Sequence, residues 1–473
     1  MAARRAAARP PNERLRALIE EAGCSNVGLA RLVNRDGAER GLDLRYDKTS
    51  VTRWLRGQQP RGTAPLVIAA VLSRELGREV SVQDIGMARG RGPEVSETGL
   101  LFAPTPAEAR ERAIELWRGD AEGRTAQNGT RLSVAALLGP SRDWLIAARD
   151  PDPAHIGAPP VDAADVELVD AATRHIADLD HRFGGGHVRP LAVQYLAGTV
   201  TELLKGGYDG AVGRQLYAAA ARLTELAGYT AYDCGRPGLA QRHYIQALRL
   251  SQAAHDRGYG GYVLAAGMSH LAAALGHPRE VAQLARAAQE GARGRIGPQL
   301  QACLHAAEAR GHALLGDARA CNQAAGRAVE ALARPGSGEP PHWIAHFDRA
   351  RLAGELAHCH LDLRQPGSAA RRAEEALAGT PEHRPRRRAV NLLLLATAQV
   401  QTGEVERGCA TARQAVALLF RLRSALATAH LNAFRARLRD FPGVPAVRDF
   451  EDRLHDAAGR SVLARPAGPV PGA

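Results

Sequence analysis

A ten-residue run, Lys48-Thr49-Ser50-Val51-Thr52-Arg53-Trp54-Leu55-Arg56-Gly57, carries the side chains most able to do chemistry on a nucleic acid. Read as a helix, it has Thr49 as N-cap, Val51, Trp54 and Leu55 on an inner face, and Gly57 as the residue just past its end. Ser50, Thr52, Arg53 and Arg56 are left outside. Short hydroxyl side chains at a helix start reach phosphates or either base edge, and arginine pairs bidentately with guanine O6 and N7. Such a face suits the major groove of double-stranded DNA. The competing reading is a docking module in which Trp54 is core and the arginines are only solvated.

Charge distribution bears on this choice. The 473-residue chain has a formal charge of +12, and residues 1–92, with 17 Lys+Arg against 10 Asp+Glu, hold +7 of it. A basic first fifth points to a polyanionic partner, because neutralising phosphates releases counterions. Arg-rich composition from GC-rich coding would give the same bias without a partner: only Lys48 and Lys205 are lysines among 62 basic residues.

Three further helices are expected to position the run. Asn12 caps the first, with Leu15, Leu18, Ile19 and Ala22 inward, and Gly23 ends it. Ser25 opens the second, with Leu29, Leu32 and Val33 inward. Pro65 starts another with Val67, Ile68, Val71, Leu72 and Leu76, and Val80 to Met87 closes the unit. A domain over residues 11–87 follows, preceded by a disordered basic tail over 1–10.

The segment SVTRWLRGQQPR resembles the third helix and following turn of phage-repressor-like (Cro/repressor) helix-turn-helix regulators, over about residues 12–87. The resemblance implies DNA recognition by Lys48, Thr49, Ser50, Thr52 and Arg53, with Arg56 and Arg61 on the DNA backbone. This chain departs from that family between its second and third helices. A turn of a few residues is replaced by Asn34 to Asp47, which reads as an extended second helix ending near Gly41 plus a loop.

Beyond residue 160 the sequence is repetitive. Taking Gly235, Gly276, Gly316, Arg364 and Gly403 as turn anchors gives intervals of 41, 40, 48 and 39 residues. Seven residues before the anchors stand Gly228, Ser269, Ala309, Ala357 and Ala396; five after stand Ala240, Val281, Cys321, Ala369 and Gly408. Twelve after, every residue is alanine: Ala247, Ala288, Ala328, Ala376 and Ala415. Small residues at those offsets let two antiparallel helices cross closely and stack on the next pair. The register resembles the tetratricopeptide repeat, with Tyr244 and Pro381 at its large and terminal-proline positions, so a helical repeat domain is expected over 161–460.

Residues 88–160, dense in Pro and Gly, read as a linker with two docked helices, and 461–473 as a disordered tail. The expected fold class is all-α: a helix-turn-helix domain plus a tetratricopeptide-like α-solenoid. Six scattered cysteines fit a reducing cytosol, and neither a secretory signal nor a spanning helix is read, so a cytoplasmic, nucleoid-associated protein is expected.

The stretches LRALIEEAGCSNVGLARLVN, YDKTSVTRWLRGQQPRG, HRFGGGHVRP, LTELAGYTAYDCGRPGLAQRHYIQALRLSQAAHDRGYGGYVLAA and SHLAAALGHPREVAQLARAAQEGARGR resemble actinobacterial helix-turn-helix/tetratricopeptide regulators. Those proteins act as negative regulators of differentiation and antibiotic production in streptomycetes. The resemblance implies a non-enzymatic transcriptional regulator, repressor-type and homodimeric, whose repeat domain dimerises and senses a peptide, small-molecule or protein effector. A tetratricopeptide adaptor that binds proteins without touching DNA is the alternative.

Other chemistry-bearing clusters are weaker. His181, Arg182, His187 and Arg189 flank the triple glycine Gly184 to Gly186 and could hold an anionic effector, or form a specialised inter-helix turn. His342 and His346 lie four apart, but Trp343 stands where a metalloprotease motif needs glutamate, and no third ligand is evident. His358-Cys359-His360 and the basic run 383–388 read as ordinary groove or loop residues. No cofactor, metal or catalytic constellation is expected.

Overall fold

The computed structural model describes residues 11–39, 44–58, 60, 64–76, 80, 84–87, 99–124, 135–294, 296–336 and 338–460. The chain forms two compact units, Met1–Glu94 and Val95–Ala473. The described residues are all-α apart from two isolated β-bridges, His155 with Tyr208 and Pro160 with Gly207. None of their helices is long and apolar enough to cross a membrane. The basic tail 1–10 and the tail 461–473 lie outside the described residues.

The first unit contains α1 (Glu13–Glu21), α2 (Asn26–Glu39), α3 (Lys48–Leu55) and α4 (Ala64–Leu76). Asn12 caps α1 by accepting the Leu15 N–H, and its side-chain amide donates to the Ile85 carbonyl at 2.8 Å. Ser25 Oγ accepts the Gly28 N–H at the start of α2. One core joins the four helices through Leu15, Leu29, Val33, Val51, Trp54, Ile68 and Leu72, with Val80, Ile85 and Met87 sealing it.

The second unit begins with α5 (Pro106–Ala121), α6 (Ala135–Ile146), α7 (Ala163–Phe183) and α8, a continuous helix of Gly185–Tyr195, a π turn Leu196–Val200 and Thr201–Lys205. Paired helices follow: α9 (Gly210–Asp233) with α10 (Pro237–Ala253), then α11, made of Arg257–Tyr262, a π segment Val263–Met268 and Ser269–Ala274, with α12 (Pro278–Gly291). Next come α13 (Pro298–Leu314) with α14 (Ala318–Ala333), α15 (Arg349–Asp362) with α16 (Pro366–Gly379), and α17 (Pro385–Gln401) with α18 (Val405–Leu419). The pair α19 (Ala425–Leu438) and α20 (Pro445–Arg460) ends the array.

All five turn anchors have left-handed backbone, φ +56° to +88°, which glycine adopts without strain and which Arg364 adopts despite its Cβ. The fifteen small residues at the three offsets are buried, as close helix crossing requires. Tyr244 shows why: a Cβ on Gly228 or Gly267 would come within 2.9 Å of its ring.

The two docked helices expected within 88–160 are α5 and α6, and both belong to the second unit. Trp117 on α5 and Trp144 on α6 are both 0% exposed. Gly260 and Gly291 leave the space for Trp144, since a Cβ on either would lie 2.7 or 2.2 Å from its ring. These helices and the segments beside them cover α10, whose residues 238–253 are buried throughout. Gln246 donates to the Gly99 carbonyl, Gln252 to the Ala148 carbonyl, and Arg249 pairs with Asp150 at 2.8 Å, so donors of that buried helix find partners on the covering segments.

Candidate functional site

Helix α3 has eight residues, fewer than the ~12–15 that sustain an isolated helix in water, so caps and packing must hold it. The cap is Asp47, not the expected Thr49. Asp47 has extended backbone immediately before Lys48, and its Oδ1 accepts both the backbone N–H and the hydroxyl of Ser50, each at 2.8 Å. Hydrogen bonds from Ser50 hold the Asp47 carboxyl below its ordinary value. Ser50, expected outside, is therefore turned into the cap and only 7% exposed.

At the other end Gly57, φ +86°, donates to the Trp54 carbonyl and Gln58 to that of Arg53, a Schellman closure. Val51 and Trp54 are buried beneath. Lys48, Thr49, Arg53 and Arg56 are exposed, while Thr52 is half-buried and donates its hydroxyl to the Lys48 carbonyl at 2.9 Å. Arg61 lies outside the described residues. The outer surface of α3 is therefore two arginines, a lysine and a threonine over a rigid apolar base.

The insertion before α3 is anchored. Asn34 on α2 donates to the Tyr46 carbonyl and accepts the Tyr46 N–H, both at 2.8 Å, and the Tyr46 ring meets Trp54 edge-on at 4.9 Å. The chain thus enters α3 from a fixed point on α2. Residues 40–43 of the insertion lie outside the described residues.

In the repeat unit the four residues around the triple glycine part company. Arg189 is buried and bound to Asp120 at 2.6 Å, where His243 also binds at 2.8 Å. Burial alone would raise the Asp120 carboxyl, but His243 and Arg189 hold it at about 2. Arg182 stacks on Phe183 at 5.5 Å and His187 is exposed. His181 turns into the interior, 3.4 Å from Arg384. The triple glycine packs against the chain entering α19: Gly186 donates to the Arg423 carbonyl, Arg423 donates to that of Phe183, and a Cβ on Gly184 would lie 2.8 Å from the Arg423 oxygen.

That contact closes the array on itself. Arg386 at the start of α17 binds Asp180 and Asp233, the latter at 2.8 Å, and Asp233 also accepts the Gly185 N–H and the Ser424 hydroxyl. Both carboxylates are at most 1% exposed. Burial pushes the Asp233 carboxyl above its ordinary value against the pull of Arg386, which the two carboxylates share.

A family model described as the SP15 N-terminal domain matches residues 15–88, to which the first unit is therefore similar. No curated protein and no solved structure matches the chain.

Proposed function

We propose that this chain is a DNA-binding transcriptional regulator of the repressor type, related to the streptomycete helix-turn-helix/tetratricopeptide regulators of differentiation and antibiotic production. It acts as a homodimer on chromosomal DNA in the cytoplasm, without catalytic activity, and its repeat unit supplies the dimer surface and senses an effector. The observation that carries the reading is α3: a capped, core-anchored helix whose exposed side bears Lys48, Thr49, Arg53 and Arg56. Lysine and arginine there neutralise phosphates, and arginine can read guanine.

Effector binding acts by stabilising one curvature of the repeat array and so changing the spacing of two recognition helices on their half-sites. Selection from a random duplex library with the full chain tests the DNA claim. Convergence on one motif, with two half-sites about one helical turn apart or a multiple of it, is expected. Failure to converge at low salt would favour the protein-binding adaptor.

A further inference from the structure

The interval of 48 residues between the third and fourth anchors is longer than its neighbours, and the extra chain does not stay outside. Residues 342–347, between α14 and α15, turn inward. Ile344 and Phe347 are buried, and Trp343 lies edge-on to Tyr259 at 5.0 Å and 5.3 Å from the Tyr262 ring. His346 sits between Tyr262, at 6.3 Å, and His181, at 6.5 Å. Side chains from α7, α11 and the insertion thus meet at one place on the inner face of the closed array.

Arginines crowd this place. His346 and His181 are both driven down to about 3, first by burial and then by arginines 351 and 384 among their neighbours. Arg351 pairs with Glu355 at 2.6 Å, but its Nε is buried without a hydrogen-bond partner among the described residues, as is Nδ1 of His181. Arg384 makes its 3.4 Å contact with the His181 imidazole, and Asp178 and Asp348 act on its charge from nearby. Glu225, pushed up to about 8 by burial and Asp180, adds no negative charge here at neutral pH.

We infer that this interior site binds a small planar organic anion, its ring against Trp343 and Tyr262 and its carboxylate between Arg351, Arg384 and His181. Flat rings stack on tryptophan and tyrosine, and arginine matches a carboxylate with two parallel N–H groups. The inference rests on the effector-sensing reading above and names its site and ligand class.

Calorimetric titration of the full, DNA-free chain with indole-3-carboxylate, 1-naphthoate and N-acetyltryptophan tests it. At least one of the two planar acids, indole-3-carboxylate or 1-naphthoate, saturates below about 5 mM, while tryptamine and N-acetyltryptophanamide, which keep the ring and lack the anion, do not. Arg384→Gln and Trp343→Phe each weaken binding about tenfold or more, and Arg53→Ala with Arg56→Ala leaves it unchanged, which separates the site from DNA binding. N-acetyltryptophan binding without either of the two planar acids assigns the site to a peptide terminus and overturns the proposal. No saturation by any of the three acids, equal binding of the amide, or indifference to Arg384→Gln overturns it.

Discussion

Asn34 closes its side-chain amide on the backbone of Tyr46, twelve residues away, with one donated and one accepted hydrogen bond of 2.8 Å. This pairing fixes where the inserted loop ends and lets Asp47 cap α3 immediately afterwards. Asn34→Ala removes both bonds and leaves half-buried backbone groups unpaired, a cost of about 1–3 kcal/mol. Hydrogen exchange should rise over residues 44–55 of the variant while the repeat unit is unchanged. Unaltered protection there would mean that α3 is held by its core contacts alone.

Closure of the array depends on Arg386. Replacing it with Leu strands the Asp180 and Asp233 carboxylates in a dry interior, which should cost about 3–5 kcal/mol, and converting both to Asn as well should recover part of the loss. Denaturant midpoints measure the cost, and small-angle scattering should show the singly substituted chain expanded. A variant that keeps both its stability and its dimensions would show that the ends are held together by other contacts.

The triple glycine separates two effects of added Cβ atoms. Gly184→Ala forces an L side chain at φ +85° against the Arg423 carbonyl and should destabilise by about 1–3 kcal/mol. Gly326→Ala on α14, where a Cβ meets nothing within 4 Å, should stabilise by about 0.5–1 kcal/mol. Thermal unfolding of the two variants should therefore move in opposite directions.

Glu225 gives a pH signature. Its folded value of about 8 lies above the ordinary 4.5, so its contribution is complete below pH 4.5 and is lost as pH rises toward and through 8. Glu225→Gln, which cannot ionise, should melt several degrees higher than the parent at pH 8.5 relative to the offset between them at pH 5. An offset independent of pH would mean that Glu225 is ionised in the folded chain.

Much of this architecture was legible in the sequence because it is local. A left-handed turn selects glycine and a close crossing selects alanine, so the five anchors and fifteen small residues could be aligned without coordinates. The cap of α3 was misread because Asp47 and Thr49 are both good capping residues, and what decides between them is the serine three residues after Asp47. Pro and Gly density around α5 and α6 left them as helices docked on a linker, although two of the four tryptophans, Trp117 and Trp144, stand there and large aromatics signal core. The closure was out of reach: Arg386 lies 206 residues from Asp180 and 153 from Asp233, and no periodicity links them. Nor does spacing reveal that the long third interval folds inward to carry Trp343 and His346.

The proposed grip of α3 on duplex DNA rests on its exposed face. Its most direct test is a mobility-shift titration of a selected duplex with the parent chain and with Arg53→Ala plus Arg56→Ala, at several salt concentrations. The double variant should lose site-specific binding, and its remaining affinity should fall less steeply with salt, the slope smaller by about one to two phosphate contacts. Equal affinity and equal slope for the two proteins would contradict it.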